Sequence, residues 1–347
     1  MSNNFCRYLT NGLRVQSWHG DLAASPCCYI PQISLRDPTF TQQMQEFHSR
    51  VYCNDCRSKK PPIQSRLRIP DVNHTNPVYI ELSIDTRCNA ACLSCNDYFS
   101  STWKEQNQKF QIRTASDYPD PQIDTQIVHD LFNQISFRNV TCINFFGGEP
   151  MVSGVTELVL QRLVDEDLAP QIKLIFTTNA SKPPRDRWLH LLTQFQKVEF
   201  LLSIDGIEEQ FEYLRWPLKW AKVQDTIDSI QELHSYQITV SATVSALSIF
   251  GIHRVQQWAK EQFKSSKYFG VAPCAGIMSL NALPYAARHL IKSRLPSFPE
   301  LNQMMVGKAS TQALKDLQQY LDLWDRNRRQ DWRQVFPDAV IYLDNRI

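Results

Sequence analysis

Val78-Tyr-Ile-Glu-Leu-Ser-Ile84 runs straight into Asp85-Thr-Arg-Cys88-Asn-Ala-Ala-Cys92-Leu-Ser-Cys95, and this junction decides how the rest of the chain reads. The first seven residues form an apolar stretch of strand character. The cysteines that follow are spaced C-x3-C-x2-C, which sets three thiols on one short loop. Three thiolates on such a loop can hold three irons of a [4Fe–4S] cube, leaving the fourth iron without a ligand from the loop and open to chemistry.

A second run, Ile143-Asn-Phe-Phe-Gly147-Gly148-Glu149-Pro150, ends a short apolar strand in two glycines, an acid and a proline. An amphipathic pattern follows through Val155, Leu158, Val159 and Leu163. Paired glycines let a backbone approach a partner closely, and the Glu149 carboxylate beside open carbonyls suits an ammonium group. Alone, this is an ordinary strand-to-helix turn. Together and in this order, the two motifs resemble those of the radical S-adenosylmethionine (SAM) enzymes. In that family SAM chelates the open iron through its amino and carboxylate groups, and a GGEP segment binds the amino group. The resemblance implies a [4Fe–4S] cluster on Cys88, Cys92 and Cys95, with SAM held in part by Gly147, Gly148, Glu149 and Pro150.

Around these motifs the pattern alternates. Strands are expected near 78–84, 141–146, 171–177, 197–204, 237–244 and 266–272, with helices near 92–106, 123–135, 153–166, 184–195, 219–235 and 251–264. Short β-branched or aromatic strands alternating with helices imply a parallel sheet with crossover helices. The expected fold is α/β, a partial (β/α)6 TIM-like barrel over 71–275. A small iron–sulfur module over 1–70 precedes it and a helical extension over 276–347 follows. The extension carries a packing stripe of Leu314, Leu317, Leu321 and Trp324. The polar segment 107–122 is long enough to lie over the open end of the barrel.

Ligands of parallel α/β folds sit at the carboxyl ends of strands. Thr178 and Asn179 end the third expected strand, Ser203 and Asp205 the fourth, and Val244 and Ser245 the fifth. In the enzymes this chain resembles, residues at such ends bind the ribose and the methionine carboxylate, and the fifth strand meets adenine through its backbone. Arg215 matches an arginine that pairs with the SAM carboxylate in related enzymes; the competing reading is a surface ion pair. One departure stands out. Ser94 occupies a position that is apolar or aromatic in the family and packs on adenine, which shifts that role to Tyr98 or Phe99.

Further cysteines lie upstream: Cys6, then Cys27 and Cys28 after Ser25-Pro26, then Cys53-Asn-Asp-Cys56. Their spacing alone favours zinc. The pattern resembles the SPASM or twitch auxiliary-cluster modules of radical SAM enzymes, which in a subset of the family precede the barrel. Ser65-Arg66, Asn96-Asp-Tyr-Phe-Ser-Ser-Thr-Trp103 and Asp325-Arg-Asn-Arg328 also fit that subset. The resemblance implies a second, fully ligated [4Fe–4S] cluster on Cys6, Cys27, Cys53 and Cys56, with Cys28 the alternative to Cys27. Cys142 and Cys274 read as buried core thiols, and the eight histidines show no paired spacing.

Net charge is +2, too near neutral to indicate a nucleic-acid or membrane partner. Basic clusters at Arg57 to Lys60 and at Arg326, Arg328, Arg329 and Arg333 read as solvated faces. The first residues show no signal-peptide pattern and no apolar run reaches membrane-spanning length, so a cytoplasmic protein is expected. Ten cysteines in that reducing setting point to clusters or metals rather than disulfides. The resemblance implies reductive cleavage of SAM, with a flavodoxin or ferredoxin as electron donor and hydrogen abstraction from a peptide or protein. It names no catalytic residue. A sugar, nucleotide or nucleic-acid base is the alternative substrate, and a non-catalytic zinc or iron–sulfur scaffold the third reading. Peptide maturases often carry a leader-binding winged helix, and none is evident in this sequence.

Overall fold

The computed structural model describes residues 12–18, 21–25, 33–34, 37–39, 78–112, 125–184, 186–232, 236–263, 269–294, 305 and 309–344. Three strands come first: β1 (Gly12–Trp18), β2 (Asp21–Ser25) and β3 (Ile33–Ser34). Then follow β4 (Tyr79–Ser83), α1 (Ser101–Lys109), α2 (Thr125–Gln134), β5 (Cys142–Phe145), α3 (Gly154–Asp165), β6 (Lys173–Thr178) and α4 (Asp186–Leu192). The alternation continues with β7 (Lys197–Ser203), α5 (Glu208–Leu214), α6 (Trp220–Glu232), β8 (Gln237–Val244), α7 (Ile252–Phe263) and β9 (Phe269–Pro273). Four helices complete the described chain: α8 (Tyr285–Arg294), α9 (Thr311–Arg328), α10 (Trp332–Val335) and α11 (Pro337–Leu343).

All nine strands belong to one sheet, in the order β3-β2-β1-β4-β5-β6-β7-β8-β9. From β4 to β9 every pairing is parallel and each strand neighbours the next, as right-handed crossovers through helices produce. The sheet does not close on itself; it is the α/β partial barrel expected from the sequence. Ahead of it, β1 pairs in parallel with β4, and β2 and β3 add antiparallel. The strands within 12–34 therefore extend the core sheet. Cys6, Cys27, Cys28, Cys53 and Cys56, like Arg57 to Lys60, lie outside the described residues, as does most of the 107–122 segment.

The two faces of the sheet differ for the reason that a strand's side chains alternate. One face carries Ile80, Leu82, Ile143, Phe145, Leu174, Phe176, Val198, Phe200 and Val240, all buried. Phe145, Phe176 and Phe200 are in register on adjacent strands and stack, with centroids 5.3 and 5.6 Å apart, over the indole of Trp188 from α4. The other face is half-buried and polar. There Lys173 pairs with Glu199 at 2.5 Å, Thr239 Oγ1 donates to Glu199 at 2.7 Å, and Thr177 Oγ1 donates to Asn144 at 3.0 Å. Cys142 sits on this face and is half-buried, so it is not the core thiol the sequence suggested.

The expected strands are all present within three residues at either end. The first helix is displaced: it starts at Ser101, and the cysteine loop continues through turns as far as Ser100. The reason is local, since Ser100 is extended and its hydroxyl accepts from the Trp103 amide at 3.2 Å as the N-cap. Helix α5 has no counterpart in the expected elements, because two turns are too short for a periodic pattern to stand out. In α9 the stripe of Leu314, Leu317, Leu321 and Trp324 is buried as expected.

Phe176→Ala removes the middle ring of the stack and should cost about 3–5 kcal/mol of stability. Urea unfolding followed by circular dichroism should show a lower midpoint with little change in slope.

Candidate functional site

The cysteine loop leaves β4 through a turn built on Asp85. Its carboxylate accepts from the Arg87 amide at 2.9 Å and from the Arg87 guanidinium, while Ser153 Oγ, at the start of α3, donates to it at 2.6 Å. From there the carbonyls of the loop are taken one after another. Cys88 O accepts from Thr102 Oγ1 at 2.6 Å, Ala90 O from Ser100 Oγ at 2.6 Å, and Cys92 O from the Trp103 indole at 2.8 Å. The amides of Ala91 and Leu93 donate to the carbonyls of Trp216 and Leu214, at 2.7 and 2.8 Å. A loop with this many partners presents its three side chains in a fixed arrangement.

The second motif is pressed onto the first. Gly147 and Gly148 have φ of +73° and +33°. A Cβ on Gly147 would lie 1.8 Å from Ser83 Oγ, and one on Gly148 would lie 2.5 Å from Arg87 O and 2.6 Å from Asp85 O. Only glycine allows both the conformation and the approach. The contact is then sealed by backbone bonds, Glu149 N to Arg87 O at 2.8 Å and Gly148 N to Phe99 O at 3.1 Å.

Glu149 is 2% exposed. Its Oε1 accepts from Thr178 Oγ1 at 2.6 Å and from the Met151 amide at 3.0 Å, and its Oε2 from the Asn179 amide at 2.7 Å. Burial raises its pKa, and these three donors oppose the rise. The carboxylate thus ties the GGEP turn to the end of β6, where the sequence had suggested only an acid beside open carbonyls. Asn179 in turn donates through Nδ2 to Asn89 Oδ1 at 2.9 Å, and Asn89 Nδ2 donates to Ser181 Oγ at 2.9 Å. Asn89, inside the cysteine motif, was not singled out by sequence; an x position within a C-x3-C spacing carries no signal of its own.

Arg215 is buried, and the surface ion-pair reading fails. It pairs with Asp205 at 2.8 Å, and its Nη1 lies 3.8 Å from Cys92 Sγ. Its Nε has no hydrogen-bond partner. Asp205 Oδ1 also accepts from the Thr243 amide at 2.7 Å, which joins the ends of β7 and β8. Ser203 is half-buried at the end of β7 and Val244 fully buried at the end of β8. Ser245 is consumed in its own turn with Ser248. Tyr98 and Phe99 meet edge to face, 4.6 Å apart, in the turns ahead of α1. Of the basic cluster read as a solvated face, Arg328 is buried and Arg333 bonds Asp322 and Asp344.

The thiols of Cys88, Cys92 and Cys95 all have raised pKa values, Cys95 up to about 12, chiefly because burial penalises the thiolate. Each of Cys88 and Cys95 is raised further by Cys92, so the three lie within electrostatic reach, while Arg215 and Arg328 pull Cys92 down. Among the described residues no group of three or more His, Cys, Asp or Glu closes around a single metal ion. A cube makes a different demand, since each corner iron takes its own thiolate. Three thiols with no competing carboxylate ligand, backed by a guanidinium, fit such a cluster and suit neither calcium nor magnesium.

The family model of the radical SAM superfamily matches residues 82–257, which span both motifs and the strands from β4 through β8. The chain belongs to the radical SAM superfamily. No curated protein matches it. Similar solved structures include a histidine-tagged anSMEcpe with bound AdoMet, at 16% identity and a TM-score of 0.45, over 63% of this chain and 59% of that one. Streptococcus suis SuiB bound to S-adenosylmethionine matches at 13% identity and 0.45, over 78% and 55%. SuiB bound to its precursor peptide SuiA matches at 12% identity and 0.41, over 92% and 70%. This chain thus spans about three fifths of the length of the first of these structures. Superfamily membership implies an enzyme that uses a [4Fe–4S] cluster and SAM. Among the described residues no helix is long and apolar enough to cross a membrane.

Gly148→Ala should force the GGEP turn off Arg87 and cost about 1–3 kcal/mol in backbone strain alone. A melting temperature lower than that of the parent checks it, and an unchanged one would mean the turn has another conformation.

Proposed function

We propose that this chain is a radical SAM enzyme that acts on a peptide or protein. The observation that carries the reading is the seal between the two motifs: Glu149 N on Arg87 O, and Gly148, where any Cβ would collide with the Asp85 and Arg87 carbonyls of the cysteine loop. Cys88, Cys92 and Cys95 would hold the cluster. When bound and reduced, it supplies the electron that cleaves SAM to methionine and a 5′-deoxyadenosyl radical, which takes a hydrogen atom from substrate.

The chain's own residues bind and orient. Gly147, Gly148 and Pro150 shape the turn against which the amino group of SAM would rest. Glu149 fixes that turn to Thr178 and Asn179, so that a shift of the turn would move the end of β6 with it. Arg215, with Nε free of hydrogen bonds, is the cation placed for a carboxylate, while Asp205 anchors its guanidinium through the ion pair at 2.8 Å. Ser203 and the backbone at Val244 are assigned to the nucleoside. The half-buried polar face of the sheet, with Asn144, Thr177, Glu199 and Thr239, suits a hydrogen-bonding substrate such as a peptide.

We assign Cys6, Cys27, Cys53 and Cys56, within a module over 1–70, to a second [4Fe–4S] cluster that takes or relays the substrate electron, with a flavodoxin or ferredoxin as donor to the first. The peptide assignment rests on the resemblance of this cysteine pattern to auxiliary-cluster modules.

Anaerobically reconstituted protein should contain two [4Fe–4S] clusters and make 5′-deoxyadenosine from SAM under reduction. Cys88→Ala, Cys92→Ala, Cys95→Ala should abolish that product and leave the iron of one cluster; continued formation of 5′-deoxyadenosine would overturn the reading.

In the variant Cys53→Ala, Cys56→Ala, half the iron should be lost while substrate-free SAM cleavage persists. Full iron content there, or stoichiometric zinc in natively produced protein, would demote the module to a structural site.

A further inference from the structure

The remaining contacts of the cysteine loop come from the far end of the chain. In α9, Tyr320 Oη donates to Leu93 O at 3.2 Å and Arg328 Nη2 donates to Ala91 O at 2.9 Å. The Arg328 guanidinium lies among three indoles, its Cζ 5.0 Å from the ring centroid of Trp103, 4.9 Å from Trp216 and 4.7 Å from Trp324. Trp103 and Trp324 meet edge to face at 4.5 Å, and Trp103 itself bonds Cys92 O. The cage is therefore continuous with the loop on both sides of Cys92.

Arg328 is 9% exposed, and its Nε and Nη1 have no hydrogen-bond partner. No carboxylate among the described residues forms an ion pair with it. The nearest acid along the helix, Asp325, spends its oxygens on Tyr213 Oη at 2.8 Å and on the Trp332 amide at 3.0 Å. Burial lowers the pKa of Arg328 to about 10, and Tyr320, Cys92, Tyr213 and Asp325 oppose the fall. A buried cation is costly without a counter-charge, and indole faces offset only part of that cost. Besides Asp325, the anionic group within its electrostatic reach is the Cys92 sulfur with whatever that sulfur binds.

We propose that Arg328 is a positioning residue that sets the reduction potential of the cluster on Cys88, Cys92 and Cys95: it fixes the Ala91–Cys92 backbone and stands behind Cys92 as a buried positive charge with no direct ion pair among the described residues. The proposal rests on the cluster reading above. A fixed positive charge near a cluster stabilises the electron-rich, reduced state, and hydrogen bonds and charge around the ligands are known levers on such potentials. Arg215 differs in that Asp205 forms a direct ion pair with it. Arg328 therefore supplies the charge, and α9 becomes part of the electron-accepting site although no thiol lies on it.

The test uses full-length, anaerobically reconstituted protein in four forms: parent, Arg328→Lys, Arg328→Gln and Tyr320→Phe. Lys and Gln are both polar donors shorter than Arg, but only Lys keeps the charge. Tyr320→Phe loosens the loop at Leu93 and leaves the charge alone. The readouts are iron and sulfide per chain and the midpoint potential of the SAM-site cluster, followed by the reduced-cluster electron paramagnetic resonance signal. That signal is taken in the background Cys53→Ala, Cys56→Ala, so that one cluster is observed. The expected result is a more negative potential in Arg328→Gln alone, with Arg328→Lys and Tyr320→Phe close to the parent. Equal potentials in the Lys and Gln variants would overturn the proposal, as would a shift in Tyr320→Phe as large as that in Arg328→Gln. A parent protein that takes up no iron at all would instead overturn the cluster reading itself.

Discussion

The approach of Gly148 to the carbonyls of Asp85 and Arg87 is the constraint on which the site depends. Two loops that leave adjacent parallel strands, β4 and β5, have no reason to touch beyond their ends unless something draws them together. Here the attraction is ordinary backbone hydrogen bonding, Glu149 N to Arg87 O and Gly148 N to Phe99 O, made available by removing two side chains. The glycines do not contact a ligand in this account so much as let one loop serve as the floor for the other. Glu149 then extends the same join to β6, and Asp205 with Arg215 carries it from β7 back to Cys92.

Each of these joins is buried, and buried polar groups are retained only where they are satisfied. The carboxylates of Glu149, Asp205 and Asp85 each accept from two or more donors drawn from different segments. That arrangement exchanges mobility for position. It matches a chemistry in which the protein contributes orientation and exclusion of water rather than an acid or a nucleophile.

Much of this was legible in the sequence, because the informative features are local. Strands β4 to β9 announce themselves by composition, and the cysteine and GGEP motifs lie within a few residues of a strand end. The helix expected from residue 92 was placed too early, since periodicity cannot show that Ser100 caps and the preceding turns are held by hydroxyls and an indole. Arg328 was read as solvated for a related reason. A charged residue in a run of Arg326, Arg328 and Arg329 looks exposed, and nothing nearby in sequence records that Trp103 and Trp216, more than a hundred residues away, build its surroundings. Contacts that join distant segments leave no periodic trace. The pairing of β1 with β4 is hidden from the sequence for the same reason.

That pairing governs how the chain ahead of the barrel can be arranged in connection with it. Five registered residue pairs hold β1 to β4, and β4 is the strand that ends at the cysteine loop. Cys27 and Cys28 follow β2 directly, while Cys53 and Cys56 fall between β3 and β4 along the chain. Along the chain, these four cysteines thus fall between strands of one sheet. Because β1 lies beside β4, the strands that open the described chain rest on the strand from which the cysteine loop departs. β4 therefore serves two ends at once: it launches the cysteine loop and, through β1, anchors strands that come far earlier in the chain.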